Sequence, residues 1–539
     1  MEETAPSSET ARAVAVVTPL PRQEMLVLSC ILLSEAMGIT MLFPFLARMV
    51  MSFGVAESDA QVAFYAGVIA ASFNFSQFIS AFFWGRASDA RGRRAVILFG
   101  LAGNVITVIL FGLSRSFWWA VAARVLSGLS NGNVGVAKSY LAEISDETNA
   151  PKAYARMGLV WGMGMVLGPA VGGSLANIDR TFPALAGRGS PFSYYPYLLP
   201  CLVAALVNVV GFIVGYKYLL SREELAARTR ANKARLATLS QQAAVEASSE
   251  SDDPVLLQML APSTPDSGSF SDNARCSSDG LVEQQEEHGA LTELHNEGLL
   301  AEQRTAALVD EEDLARALSS WEMARTLLRN KNLILTTAVY SLLAFSTIVF
   351  DETFSVWAVF DPKSANGAGF RASQLQLAAI LMVSGCMLVA VQSKIFPTVA
   401  PRTGVLVIIQ VCLFASAPLI LVFPAIVPLR ASVPWLFWTL LFATAIVRVA
   451  TISCAFTSII SMVNNAVEMH ELGAANGMAQ ASAALARAFG PFIGGALLAW
   501  SMSRPHPWPV NHHFVFVVGA TCSVFAGVLT LFIAPLLST

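Results

Sequence analysis

The chain has 539 residues, of which 55% are hydrophobic and only 13% charged, with a mean hydropathy of +0.58. A soluble chain of this length would carry about 25% charged residues, so an assembly of soluble domains is excluded. The composition is that of a polytopic membrane protein. The net charge of −3 conceals two unlike parts: residues 221–328 hold 20 acidic and 9 basic side chains, and the remainder holds 17 and 25.

Residues 1–24, rich in Ser, Thr and Pro, read as a disordered cytoplasmic tail with no cleavable leader. Apolar segments then fall near 25–49, 62–84, 95–113, 117–144, 153–176 and 196–220. Six more follow near 333–360, 374–396, 404–427, 433–463, 473–500 and 514–536. They are far longer than barrel strands and lack a two-residue alternation, so helix is expected. The expected fold class is an all-α membrane protein of twelve transmembrane helices in two six-helix bundles, 25–220 and 333–539. Between them, 221–332 is an acidic, largely disordered cytoplasmic linker, too poor in apolar residues to fold by itself, apart from an amphipathic helix expected over Glu311–Lys331.

Lys and Arg set the orientation. The loop 85–94 carries Arg86, Arg91, Arg93 and Arg94, and Lys152, Arg156, Arg222, Arg228, Arg230, Lys233 and Arg235 lie on the same side. The opposite loops hold only Arg115, Arg180, Arg188, Arg430 and Arg504. By the positive-inside rule both termini are cytoplasmic. In the linker, DDPVLL (Asp252–Leu257) resembles an acidic dileucine sorting signal, which favours a vacuolar-type membrane over the plasma membrane.

The loop after the second segment reads GRASDARGRR, with Gly85, Asp89, Gly92, Arg93 and Arg94 spaced as G-x-x-x-D-x-x-G-R-R. A glycine at a helix end permits a tight turn, and an acid near a helix N-terminus is favoured by its dipole. This loop resembles the signature loop of the major facilitator superfamily, with Ala90 where a basic residue is usual. The resemblance implies the major facilitator fold, and a charge relay in which Asp89 and the arginines latch the cytoplasmic side in one state.

In segment five, GMGMVLGPAVGG sets Gly164, Gly168 and Gly172 on one helix face, with Gly173 beside the last. Pro169 deprives the carbonyl of Met165 of its partner, so the helix can bend there. A second copy, with Gly490, Pro491, Gly494 and Gly495, lies 322 residues further on. Both stretches are expected to act as helix hinges. The first resembles the glycine–proline motif of the superfamily's proton-coupled exporters. FYAGVIAASF (64–73), KSYLAEI (138–144), FDETFSVWAV (350–359), AANGMAQ (474–480) and ARAFGPFIGG (486–495) are similar to zinc-induced facilitator-like transporters, in the drug:proton antiporter branch.

An ionisable group at the centre of a membrane helix costs about 2.5–3.5 kcal/mol and normally faces a cavity or a partner. Glu35 lies roughly 15 Å into segment one, near the midplane. Arg448 and Arg487 also fall near mid-depth, while Arg124, Asp351 and Glu352 fall in the outer part of their segments. Segments one, four, seven and ten line the central cavity in this superfamily, so by resemblance Glu35, Arg124, Glu352 and Arg448 converge there. Two readings of Glu35 stay open: a proton carrier, or a static ion pair with Arg448 or Arg487. Glu352 is the second proton-coupling candidate, and Asp351 is expected to be exposed. Arg124, Arg448, Arg487, Asn74 and Asn131 are candidate substrate contacts. Asn74, Gln77, Asn131 and Asn133 also suit hydrogen bonds between helices, and Lys138 suits snorkelling.

No His, Cys or Asp run has zinc-ligand spacing, and the cysteines show no disulfide framework. No nucleophile–base set or phosphate loop appears either, so no metal, no cofactor and no enzyme are expected. The expected partners are a small-molecule or ion substrate, protons and the lipid bilayer, without nucleic acid, and the chain is expected to be a monomer. The expected function is proton-coupled export of a small organic solute, chelator or ion. A polyspecific drug exporter and a non-transporting nutrient sensor are the rivals.

Overall fold

A computed structural model describes residues 20–145, 149–178, 191–221, 223–224, 227, 325–362, 369–467, 472–504 and 506–533. Among the described residues, ten helices are long and apolar enough to cross a bilayer. In the first half these are Arg22–Thr40 (α1), Asp59–Arg91 (α2), Arg93–Gly112 (α3), Ala150–Leu175 (α5) and Leu198–Tyr218 (α6). The second half has Lys331–Trp357 (α7), Gln374–Thr403 (α8), Val405–Ala425 (α9), Pro434–Asn465 (α10) and Leu472–Met502 (α11). Two further passages are short for physical reasons. The fourth breaks at Asn131–Gly132 into Phe117–Ser130 (α4a) and Asn133–Ile144 (α4b), and the last, Phe514–Thr530 (α12), has 17 residues. Twelve helical passages result among the described residues, and no strand is found among them.

Among the described residues, those within 20–231 and 331–533 form one compact unit, and 325–330 fall in a second. The N-terminal tail, the stretch Asp252–Leu257 and most of Glu311–Lys331 lie outside the described residues.

Local chemistry fixes the helix ends. Ser58 opens α2 by accepting the Gln61 N–H at 3.4 Å. Gly92 closes it at φ +90°, a conformation that a side chain disfavours, and its N–H donates to the Ser88 carbonyl at 3.0 Å. Gly85, expected at a helix end, lies inside α2 instead, so Gly92 alone makes the turn. The single span expected over 25–49 is interrupted too. It stops at Thr40 and resumes at Leu46–Ser52, because Pro44 has no N–H to continue the ladder.

A capping box opens α8: the Gln376 N–H donates to Ser373 Oγ at 3.1 Å, and the Ser373 N–H donates to Gln376 Oε1 at 3.0 Å. Farther along, α8 widens into a π-turn at Val391–Ile395. Pro397 follows it, and its missing N–H and bulky ring are the kind of local cause that such a turn relieves. Gln392 in that turn donates from Nε2 to Ser453 Oγ and Thr457 Oγ1 of α10, both at 2.9 Å.

The bare helices pack alike in the two halves. A Cβ on Gly164, Gly168 or Gly172 of α5 would strike Ala36 or Thr40 of α1 or Met41 just beyond its end. Gly490 and Gly494 of α11 face Ile348, Val349 and Thr353 of α7 in the same way. The next glycine in each motif reaches across. Gly173 abuts Gln374 and Ala378 of α8, and Gly495 meets Ala63 and Gly67 of α2. A Cβ on Gly67 would lie 2.7 Å from the Pro491 carbonyl oxygen. Both α5 and α11 run through their prolines as continuous helices.

At the face remote from the Gly85–Arg94 loop, one apolar cluster joins the halves. Phe45, Phe111 and Tyr197 of the first half pack there with Phe354, Trp357 and Phe437 of the second. Arg48 reinforces the junction by donating from Nη2 to the Ala372 carbonyl at 3.0 Å. Nearer the arginine-bearing loop, Met25, Leu28, Val96, Tyr140 and Leu219 form a cluster drawn from the first half alone.

Candidate functional site: a buried chain of charges

The charged groups that sequence places inside the membrane are gathered on α1, α4a, α7 and α10. Glu35 of α1 is 4% exposed. Gln77 Nε2 donates to its Oε1 at 3.1 Å, and Asn131 Nδ2 donates to its Oε2 at 2.6 Å. The position of Asn131 follows from the break in α4. As the terminal residue of α4a it has left the helix, with φ −104° and ψ +92°. Its amide therefore turns toward α1.

Arg124 of α4a is buried, with its guanidinium 4.2 Å from the Phe73 ring centroid and 5.8 Å from that of Phe111. Its Nε has no hydrogen-bond partner in the protein. Glu352 and Glu35 are the acids within its electrostatic reach. Glu352 of α7 is buried, and its electrostatic neighbours are Arg124 and Asp351.

Asp351 was expected to be exposed, but its side chain is only 23% exposed and takes Arg448 Nη1 at 3.1 Å. The expected alternative of Glu35 paired with Arg448 or Arg487 is therefore replaced by an Asp351–Arg448 pair within the second half. The Arg448 guanidinium also lies 3.5 Å from the Phe350 ring centroid, an intimate cation–π contact. Its Nε and Nη2 are buried without a protein hydrogen-bond partner.

The remaining candidates fall elsewhere. Asn74 donates back to the Ala70 carbonyl at 3.2 Å within its own helix. Asn133 is buried, with its Oδ1 unpartnered and pressed on Gly100. Arg487 of α11 is half-buried and lies within electrostatic reach of Lys138, away from the Glu35 site.

At the signature loop, Arg93 donates from Nε to Glu143 Oε1 at 2.9 Å and from Nη1 to Ser88 Oγ at 2.8 Å. Arg94 donates from Nη2 to the Tyr216 carbonyl at 2.6 Å. The side chain of Asp89 lies outside the described residues. These arginines thus tie the loop to α4b and α6 of their own half. Glu143 is the residue that sequence reasoning passed over, although it lies in the KSYLAEI stretch.

A cavity of about 530 Å³ opens at the remote face, beside Arg48, Asn177, Tyr197, Ser373 and Gln374. Among the described residues no group of three or more His, Cys, Asp or Glu side chains comes together as a metal site would require.

Two like halves of membrane helices, meeting at one face around buried charges, define a transporter of small solutes rather than an enzyme. The chain belongs to the Major Facilitator Superfamily, whose profile matches residues 28–443. It is 30% identical to the major facilitator superfamily multidrug transporter mfsB of Aspergillus fumigatus, over 88% of this chain and 78% of that one. It is 27% identical to Protein ZINC INDUCED FACILITATOR-LIKE 1 of Arabidopsis thaliana, over 90% of this chain and 85% of the relative. Among solved structures, a D-xylose-proton symporter superposes with a TM-score of 0.62 at 12% identity, covering 96% of this chain and 98% of that one. The last likeness shows the fold alone. The protein is accordingly a multi-pass integral membrane protein of the facilitator class that resembles the zinc-induced facilitator-like transporters.

Proposed function

We propose that this transporter is a proton-coupled antiporter that exports a small organic solute from the cytosol by alternating access. The observation that carries the reading is the way Glu35 is held. A guanidinium can only donate, so it favours an ionised carboxylate. Asn131 and Gln77 are amides, each with a carbonyl acceptor as well as an NH₂ donor. By turning its amide over, Gln77 can accept from a protonated carboxyl group, whereas Asn131 Oδ1 already accepts the Asn133 N–H at 3.3 Å. Glu35 can therefore hold or release a proton without losing its hydrogen bonds, as a coupling group must.

The Gly85–Arg94 loop is cytoplasmic in this reading, and the apolar cluster that joins the halves lies toward the opposite side of the membrane. Arg448 supplies the solute contact, because its two buried and unpartnered N–H groups are donors that an acceptor oxygen of the solute would meet. Kinship with a protein named as a multidrug transporter supports export.

The test is uphill solute flux in proteoliposomes under an imposed pH gradient. The parent protein is expected to concentrate solute and Glu35→Gln to lose that ability while retaining downhill exchange. Uphill flux by Glu35→Gln equal to that of the parent would refute the assignment.

A further inference from the structure

Four buried groups and the partly exposed Asp351 form an electrostatic series. Glu35 neighbours Arg124, Arg124 neighbours Glu352, Glu352 neighbours Asp351, and Asp351 is bonded to Arg448. Lys138 has the cation Arg487, and none of these five groups, as its charged neighbour. Cys201 lies within electrostatic reach of Arg124 and adds a thiol but no fixed charge. Three carboxylates therefore share two guanidiniums. With every group ionised, the series holds one net negative charge in the interior of a membrane protein.

A net buried charge is costly, and interacting sites titrate as a set rather than singly. The excess lies where Glu352 sits between Arg124 on one side and a second carboxylate on the other. Arg124 belongs to the first half and Glu352 to the second, so the balance of charge spans the junction that must open and close.

We propose that these five side chains act as one electrostatic unit that takes up a single balancing proton, shared among Glu35, Glu352 and Asp351 and fixed in number by the two arginines. The proposal rests on the proton-coupled reading given above and deepens it. It differs from a dedicated carrier residue in a way that can be counted. If one carboxylate were the carrier, only its own replacement would abolish proton uptake. In a unit set by charge balance, replacing any of the three abolishes uptake, because two carboxylates then match two arginines. Removing an arginine raises the number to two.

The experiment is the infrared difference spectrum of purified protein taken from alkaline to mildly acidic solution, reading the protonated-carboxyl band per mole of protein. It is made without solute or gradient, and the band assigned to the unit is the part that isotope-edited Glu and Asp samples share. The parent is expected to show one carboxyl equivalent. Glu35→Gln, Glu352→Gln and Asp351→Asn should each lose it, and Arg124→Gln should show twice the amplitude. Arg124→Gln combined with Glu352→Gln should return to one equivalent. That pair also guards against a single variant that does not fold, because it restores the charge balance of the parent.

A band that survives in any one of the three single carboxylate variants overturns the proposal, as does an unchanged amplitude in Arg124→Gln. Flux that ignores the pH gradient while the proton count behaves as described overturns the antiport reading instead. The two failures are therefore separable.

Discussion

Glu35 and Asp351 are both carboxylates inside membrane helices, one in each half, yet they are held differently. Glu35 accepts from two neutral amides, whereas Asp351 accepts from a guanidinium that is itself stacked on Phe350. An ion pair favours the ionised carboxylate, because protonation removes the charge that holds the guanidinium. Amide partners leave the state free to change. The halves repeat the same helices, but they divide the electrostatic work into one fixed end and one adjustable end.

The comparison can be broken from the fixed end first. Arg448→Leu leaves the mostly enclosed Asp351 without its partner and should destabilise the protein by about 3 kcal/mol, the low end for a buried pair. That would appear as a large fall in the thermal unfolding midpoint in detergent, with most of it recovered in Arg448→Leu/Asp351→Leu. If the single variant melts with the double, the pair is not what holds that end. At the adjustable end, Asn131→Ala removes a bond of 2.6 Å to a buried carboxylate. Its cost should be roughly 1.5–3 kcal/mol by the same measurement, the usual range for a hydrogen bond to a charged group. Gln77→Ala removes the longer bond, 3.1 Å, from a half-buried amide, and should cost only about 1 kcal/mol. A Gln77→Ala loss as large as that of Arg448→Leu would erase the distinction between the two ends.

How much of this was legible beforehand depended on what each residue type can do alone. The glycine–proline motifs could be read because a face without side chains admits a neighbour whatever that neighbour is. Which neighbour could not be read: Gly164, Gly168 and Gly172 press on the first helix of their own half, while Gly162, Gly173 and Gly495 reach the other. Arg448 was visible as a buried cation, but its partner was not, because Asp351 and Glu352 are adjacent in sequence and helix rotation alone decides which one faces it. Asn131 was visible only as a polar residue in an apolar run. Its use depended on the break in α4, where Asn131 and Gly132 end one helical stretch and begin another. Gly85 misled because a glycine in a motif suggests a turn, while the positive φ went to Gly92, seven residues on.

Trp357 gives the remote junction an optical signature. Its side chain is wholly buried in the cluster that joins the halves, and its indole N–H has no hydrogen-bond partner. Trp118, Trp435 and Trp508 are 70% exposed or more. Among these chromophores, Trp357 is therefore the one whose surroundings change from dry to wet when that face opens. Its emission should shift to longer wavelength as water reaches the indole, so the protein carries its own reporter of which side it faces, without an added label.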